Sequence, residues 1–392
     1  MMKTFQGYRR ADGQVGIRNH ILILAIDECA EGIAQAIKQK LSNCVVVTNH
    51  YTCMYGGNEE MVNVMIGAAL NPNIAGVLVL NMGCGSIDPT IITDPIKQAK
   101  KPVFSLSIIK SKGTRQTINE GVQIVDELIN ISNQVKPEPT PISELIVGVK
   151  CGGSDTSSGI ASNPAVGQAA DRLIEMGATC IAGELIELIT CEQILRERAV
   201  NQNVADKIER LIAEEERRWH IEGTDVETMS IGNSVGGLTT LEEKALGALH
   251  KTGTKPIQDV LEINPIGIQK PTQPGFYLAE VTHLCGGSGM HFAALGAQVI
   301  LWTTGGAGFS NPIVPVIRIS GNDEQITDDI DVDVSGIMSA TLSVVEASEQ
   351  VLEQLDNVVQ GKKTAIEDVG YAFCSLYQKD QRLEKLINKQ SV

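Results

Sequence analysis

Short apolar runs punctuate the first third of the chain: His20-Ile-Leu-Ile-Leu-Ala-Ile26, Cys44-Val-Val-Val-Thr48, Ala75-Gly-Val-Leu-Val-Leu80 and Pro102-Val-Phe-Ser-Leu106. They read as strands buried on both faces, and helical patterns fall between them near 31–41, 58–70, 89–100 and 114–131. Strand-helix alternation of this kind predicts an α/β fold, here a doubly wound, mostly parallel sheet whose functional loops leave the carboxyl ends of the strands.

A polar, proline-rich stretch, Asn133-Gln-Val-Lys-Pro-Glu-Pro-Thr-Pro-Ile-Ser143, interrupts the pattern and is the best linker candidate. The alternation resumes after it. Leu145-Ile-Val-Gly-Val149 and Thr179-Cys-Ile-Ala182 read as strands around a helix at 164–176, followed by charged helices over 192–218. Further strands are expected at 275–279, 298–302 and 315–319, with amphipathic helices closing the chain from about 337 to 389. The expected organisation is an N-terminal α/β domain over 1–133 and a second α/β domain over 144–392, the latter carrying glycine-rich active-site loops and C-terminal helices.

At 392 residues and 43% hydrophobic composition, the chain is long enough to bury substantial cores. Its formal charge of -15, spread along the sequence, argues against a grip on nucleic acid. No run approaches the roughly 20 apolar residues of a membrane helix, and no apolar leader opens the chain. Nine scattered cysteines fit a reducing compartment better than a disulfide scaffold, so a cytoplasmic location is expected.

Chemistry concentrates in loops that follow strands. Cys151-Gly-Gly-Ser-Asp155 sits in a stretch of hydroxyls and glycines that ends at Asn163-Pro164, where a helix should start. Such a loop offers backbone N–H groups to an anion, so Gly152, Gly153, Ser154 and Asn163 are candidates for a substrate carboxylate. Cys84-Gly-Ser-Ile-Asp88 echoes its Cys-Gly-x-x-Asp pattern. Glu184, directly after a buried strand, is a better metal or base candidate than Glu187 or Glu192, which suit a solvated helix face. Cys29, Cys53 and Cys84 each follow a strand of the first domain, with His50 close by, and form an alternative thiolate cluster suited to iron or an iron-sulfur centre. Two further glycine-rich stretches, 230–240 and 303–312, lack a nucleotide-binding fingerprint. Thr239 opens a capping-box pattern; Lys244 and Arg18 are possible carboxylate partners; His283 and His291, flanking Cys285, are weaker candidates.

Three long motifs occur in order: Gly7-Tyr-Arg-Arg-Ala-Asp-Gly-Gln-Val-Gly-Ile-Arg-Asn19, Lys150-Cys-Gly-Gly-Ser-Asp-Thr-Ser-Ser-Gly159 with Asn163-Pro-Ala-Val-Gly167, and Gly236-Gly-Leu-Thr-Thr-Leu-Glu-Glu-Lys-Ala-Leu-Gly247. Together they resemble the altronate and galactarate dehydratase family, which also includes the large subunit of (2R)-sulfolactate sulfo-lyase. The resemblance implies β-elimination from a small hydroxy acid, with water leaving in the dehydratases and sulfite in the sulfo-lyase. It implies a divalent metal, usually Fe2+, with Mn2+ as alternative, and a small SAF-domain subunit as partner within an oligomer. Cys29, Cys53 with His50, and Cys84 look like the sugar-acid dehydratases. Asn311-Pro-Ile-Val-Pro-Val-Ile317 and Val332-Asp-Val-Ser-Gly336 look more like the sulfo-lyase. Cys191-Glu-Gln193 stands where a Glu-His pair is expected. The expected assignment is metal binding by Cys151, Asp155 and Glu184, base or acid duty for His50, Glu192 and Lys244, and substrate binding by Arg18, Thr239 and the residues of the Cys151 loop.

Overall fold

The computed structural model describes residues 3–51, 59–221, 229–306 and 308–377. The chain opens with β1 (Thr4–Arg9) and β2 (Val15–Gly16), which pair antiparallel. Next come β3 (His20–Ala25), β4 (Cys44–Thr48), β5 (Ile74–Asn81) and β6 (Val103–Ser107), all parallel in the order β4-β3-β5-β6. Helices α1 (Glu31–Lys38), α2 (Glu59–Leu70), α3 (Pro89–Gln98) and α4 (Thr114–Ser132) connect them. Alternate residues of β3 serve opposite faces: Ile21 and Ile23 pack with Ile37 of α1 and Leu128 of α4, whereas Leu22 and Leu24 pack with Met61 of α2 and Ile96 of α3. That two-sided burial is why these strands are unbroken apolar runs. At the head of α3, Asp88 accepts from the Thr90 N–H at 2.9 Å and Pro89 takes the first helical position, a start encoded in sequence.

Part of the stretch read as a linker is itself a strand. β7 (Glu138–Pro141) pairs antiparallel with β1, Phe5 facing Thr140. Its two prolines are tolerated because β7 is an edge strand.

The second half contributes β8 (Ile146–Gly152), β9 (Thr179–Ala182), β10 (Ile257–Leu261), a small hairpin of β11 (Ile263–Asn264) and β12 (Gly267–Ile268), β13 (Gly275–Ala279), β14 (Val299–Thr304), β15 (Val316–Ser320) and β16 (Val332–Asp333). Seven of these form one parallel sheet in the order β10-β13-β9-β8-β14-β15-β16. Its helices are α5 (Asn163–Glu175), α6 (Glu192–Glu197), α7 (Gln202–Ile221), α8 (Ile231–Val235), α9 (Leu241–Leu249), α10 (Cys285–Leu295), α11 (Val344–Val359) and α12 (Ala365–Val369). Apolar residues of α5, α7 and α11 cover one face of this sheet; α10 covers the other. Capping boxes at Ser343/Glu346 and Thr364/Glu367 start α11 and α12. Helix does not continue from there: Tyr371–Tyr377 has no regular structure, and the expected helix beyond lies outside the described residues.

The two sheets share a core. One apolar cluster runs from Leu22 and Val77 through Met65 of α2 to Phe292 of α10 and Trp302 of β14. Two buried asparagines stitch the halves together. Asn71 donates to the carbonyls of Ala293 and Ala297, and Asn73 donates to Gln298 while accepting from the Ile17 N–H. Because β9, β10 and β13 lie on one side of β8 and β14, β15 and β16 on the other, the loops leaving β8 and β14 part at their carboxyl ends. A crevice at that point is where open parallel sheets bind ligands. Among the described residues, no helix is long and apolar enough to cross a membrane.

Candidate active site

Strand ends build the floor of this crevice. In β8, Lys150 lies beside Trp302 and Cys151 beside Thr303 of β14, and as successive strand residues they face opposite sides of the sheet. β9 ends at Ala182, and two residues on Glu184 adopts a left-handed backbone, φ 64 and ψ 62. A non-glycine residue held there stores roughly 1–2 kcal/mol of strain, the kind of cost found where a side chain is aimed for function. A 3-10 turn, Leu185–Leu188, then brings Glu187 back over the edge. The 3-10 turn His250–Thr252, which follows α9, delivers Lys251 from behind.

Five ionisable groups meet there. Lys150 Nζ pairs with Glu184 Oε1, both fully buried. Lys251 Nζ donates to Cys151 Sγ at 2.9 Å and to Glu187 Oε2 at 2.8 Å, and the Cys151 thiol donates to the same Glu187 oxygen at 2.8 Å. Burial raises the Glu184 carboxyl to about 7, against the pull of Lys150 and with the push of Glu187. Burial also opposes the charge on Glu187, but Lys251, Lys244 and Lys150 outweigh it and hold that carboxyl at about 2. The Cys151 thiol is pushed up to about 12 by burial and Glu187, with Lys251 pulling the other way. Both lysines are held above their ordinary value: burial disfavours their charge, and the acidic neighbours overcome it.

One atom of the cluster lacks a partner. Glu184 Oε2 is buried and makes no hydrogen bond, a costly state for a carboxylate oxygen. Donor atoms of Cys151, Glu184 and Glu187 lie within 4.8 Å of one another, and among the described residues no other such group of metal donors exists.

Above the floor lies a cavity of about 760 Å³, lined by Cys151, Glu184 and Glu187 together with Lys150, Lys244, His283 and Cys285. Its walls are the three glycine-rich stretches singled out in the sequence, which converge on Asp155. That carboxylate accepts from Ser157, from the N–H and hydroxyl of Ser158, and from Asn322 Nδ2 at 2.7 Å. A side chain at Gly305 would start 2.2 Å from Asp155 Cγ and one at Gly236 2.7 Å from its Cβ, so only glycine lets these backbones close in.

The structure sorts the sequence-derived residues plainly. Cys151, Gly152, Gly153, Ser154, Asp155, Glu184 and Lys244 line the cavity. Asp155 has both oxygens satisfied as the organiser of its loop, and Glu187 takes the third metal-donor position instead. Glu192 lies away from the cavity, accepting from the Thr190 N–H at the head of α6. His50 is half exposed on the first sheet's edge, 3.6 Å from Glu31. Arg18 makes a bidentate pair with Glu367 at 2.9 and 2.8 Å and donates to the Val358 and Lys362 carbonyls, so it fastens the C-terminal helices rather than a substrate. Thr239 binds Glu243 ahead of α9. Asn163, buried, donates to the Gly247 carbonyl and accepts from Thr303. Cys29 and Cys84 are exposed on adjacent loops, and Cys53 lies outside the described residues. Lys251 was not signalled by any local motif. Lys150 was missed as a site residue although it carries a signal: a lysine at the end of a buried apolar run needs a buried acid. His283, at the cavity wall, has its pKa lowered by burial and is a neutral imidazole near pH 7.

A buried acid-thiol-lysine cluster at the switch point of a parallel sheet defines a ligand-handling α/β protein of the enzyme type. Residues 142–381 match the family description "D-galactarate/Altronate dehydratase, C-terminal", and residues 7–133 match "D-galactarate dehydratase/Altronate hydrolase, second domain". The chain belongs to this dehydratase family. It is 33% identical to the (2R)-sulfolactate sulfo-lyase subunit beta of Chromohalobacter salexigens over 94% of this chain and 96% of that one. It is 32% identical to the altronate dehydratase of Bacillus subtilis, covering 82% of this chain and 66% of the relative. Against the galactarate dehydratase (L-threo-forming) of Escherichia coli the figures are 33%, 93% and 74%. These relatives are lyases, and so the family assignment is to lyase chemistry.

Proposed function

We propose that the chain is the large, catalytic subunit of a cytoplasmic metal-dependent hydro-lyase that dehydrates a sugar acid such as altronate or galactarate to a 2-keto-3-deoxy acid. The observation that carries this reading is the unpartnered, buried Glu184 Oε2 beside Cys151 and Glu187 on the floor of the cavity. One thiol and two carboxylates suit Fe2+ or Mn2+, and the orphaned oxygen is a donor awaiting a cation. A bound divalent ion supplies Lewis-acid polarisation of the substrate carboxylate and of the departing hydroxyl.

The chain's own side chains supply the rest. Lys244, whose Nζ donates to Asn233 at 3.0 Å on the cavity wall, is placed to bind the substrate carboxylate. His283, neutral and facing the same space, takes the proton from the carbon next to that carboxylate. Ser154, Asn233, Asn322, Glu324 and Gln325 form a wall of hydroxyl, amide and carboxylate groups. Such groups pair with the hydroxyls of a polyol chain. A small SAF-domain subunit completes the enzyme; Ile231 and Val235 of α8, both over four-fifths exposed and the second lining the cavity, offer it an apolar landing.

A second reading, sulfite release from sulfolactate, is supported by the 33% identity to the (2R)-sulfolactate sulfo-lyase subunit beta and by the segments 311–317 and 332–336, which resemble that enzyme. Assaying the Fe2+-supplied chain, with and without its small partner, on altronate, galactarate and sulfolactate decides between them. Keto-acid formation from a sugar acid is expected. Sulfite release with no sugar-acid turnover would overturn the assignment.

A further inference from the structure

Lys251 is the one member of the five-group cluster that does not line the cavity. Its side chain is completely buried, yet two of its hydrogen bonds go to Cys151 Sγ and Glu187 Oε2, both of which do line it. An ammonium group is placed in a protein interior only where its partners are fixed, because each unsatisfied hydrogen there is expensive. The position is sequence-remote from both partners, 100 residues from Cys151 and 64 from Glu187, so the contact is set by tertiary structure alone. Lys251 is anchored by the 3-10 turn that ends α9, and its neighbour Thr252 is clamped by Arg198, whose Nη1 donates to the Thr252 hydroxyl at 2.7 Å.

We propose that Lys251 is a positioning residue for metal capture: from behind the cavity floor it holds the sulfur of Cys151 and the carboxylate of Glu187 as a rigid pair, so that a divalent cation entering from the cavity finds both donors in place and binds with release of the thiol proton to solvent. The proposal rests on Cys151, Glu184 and Glu187 being the ligand set. It assigns Lys251 the role that outer hydrogen-bonding partners play at metal sites, where their loss typically weakens metal binding by about 10- to 100-fold.

Co2+ added to metal-depleted full-length protein tests it without recourse to turnover. Wild-type protein should develop a near-ultraviolet sulfur-to-cobalt charge-transfer band that Cys151→Ser abolishes. Lys251→Met, which fills the same volume without donors, should bind Co2+ at least about tenfold more weakly and with a diminished band, while its far-ultraviolet dichroism stays that of wild type. Lys251→Gln carries the comparison if the methionine variant does not fold, with a loss in the same direction. No band in wild-type protein would overturn the ligand set, and the proposal with it. A wild-type band that Lys251→Met leaves unchanged, or Co2+ binding tightened by it, would overturn the positioning role alone.

Discussion

The carboxyl edges of the two parallel sheets make an instructive pair. Both follow buried apolar strands, and both carry a Cys-Gly-x-x-Asp loop, Cys84 to Asp88 on the first and Cys151 to Asp155 on the second. On the first edge the loop carboxylates Asp27 and Asp88 are satisfied by backbone N–H groups of that same edge. Asp88 caps α3, Asp27 accepts from the Met82 N–H at 2.7 Å, and Cys29 and Cys84 are exposed. On the second, Cys151, Glu184, Lys150 and Lys251 are all buried, and one carboxylate oxygen is left without a partner. A shared motif at a shared topological position therefore does not make a shared site. What separates the edges is the clustering of desolvated charge: on the second, two lysines, two carboxyls and a thiol meet, whereas the buried carboxylate of the first, Asp27, is tied to the backbone at Met82.

The comparison breaks most readily at Glu184. Glu184→Gln should lower kcat by about a thousandfold and weaken metal binding, whereas Cys29→Ser and Cys84→Ser should leave kcat within about twofold of wild type; steady-state rates at saturating metal decide. Equal losses at the two edges would abolish the distinction. Next in size, His283→Gln should cost about a hundredfold in kcat with metal affinity retained. A base acts in its unprotonated form, and burial lowers the His283 pKa below its ordinary 6.5, so at saturating metal, which keeps Glu184 ionised, the wild-type rate should hold at neutral pH and fall only as pH drops beneath 6.5. Lys244→Met should raise KM by about tenfold with a smaller change in kcat, as expected for a carboxylate contact made alike in ground and transition states. Arg18→Met should leave both constants near wild type. Its effect belongs to stability, about 3 kcal/mol by denaturant unfolding, because Glu367 and two carbonyls lose their partner.

Much of this was legible in the sequence, for a physical reason. Parallel strands covered on both faces must be apolar throughout, so β3, β4, β5, β8, β9 and β13 announce themselves as short runs. The three glycine-rich stretches were visible too, though not that all three close on Asp155. What could not be read was direction. Glu187 and Glu192 both follow β9 and both suit a solvated helix; the left-handed residues Glu184 and Thr190 bracket the turn that carries the first inward and leave the second on α6. Lys251 enters through tertiary packing with no local signature. Arg18, in a motif shared with the family, proved to be a clasp between the first strands and α12, since pattern alone does not separate binding from bracing.

The central claim is that the ligand chemistry resides at Cys151, Glu184 and Glu187. Anomalous diffraction from crystals of the full chain loaded with Mn2+ tests it most directly. The account predicts a single peak within bonding distance of the Cys151 sulfur and of carboxylate oxygens from Glu184 and Glu187. A peak instead at the first sheet's edge, beside Cys29 and Cys84, would contradict it.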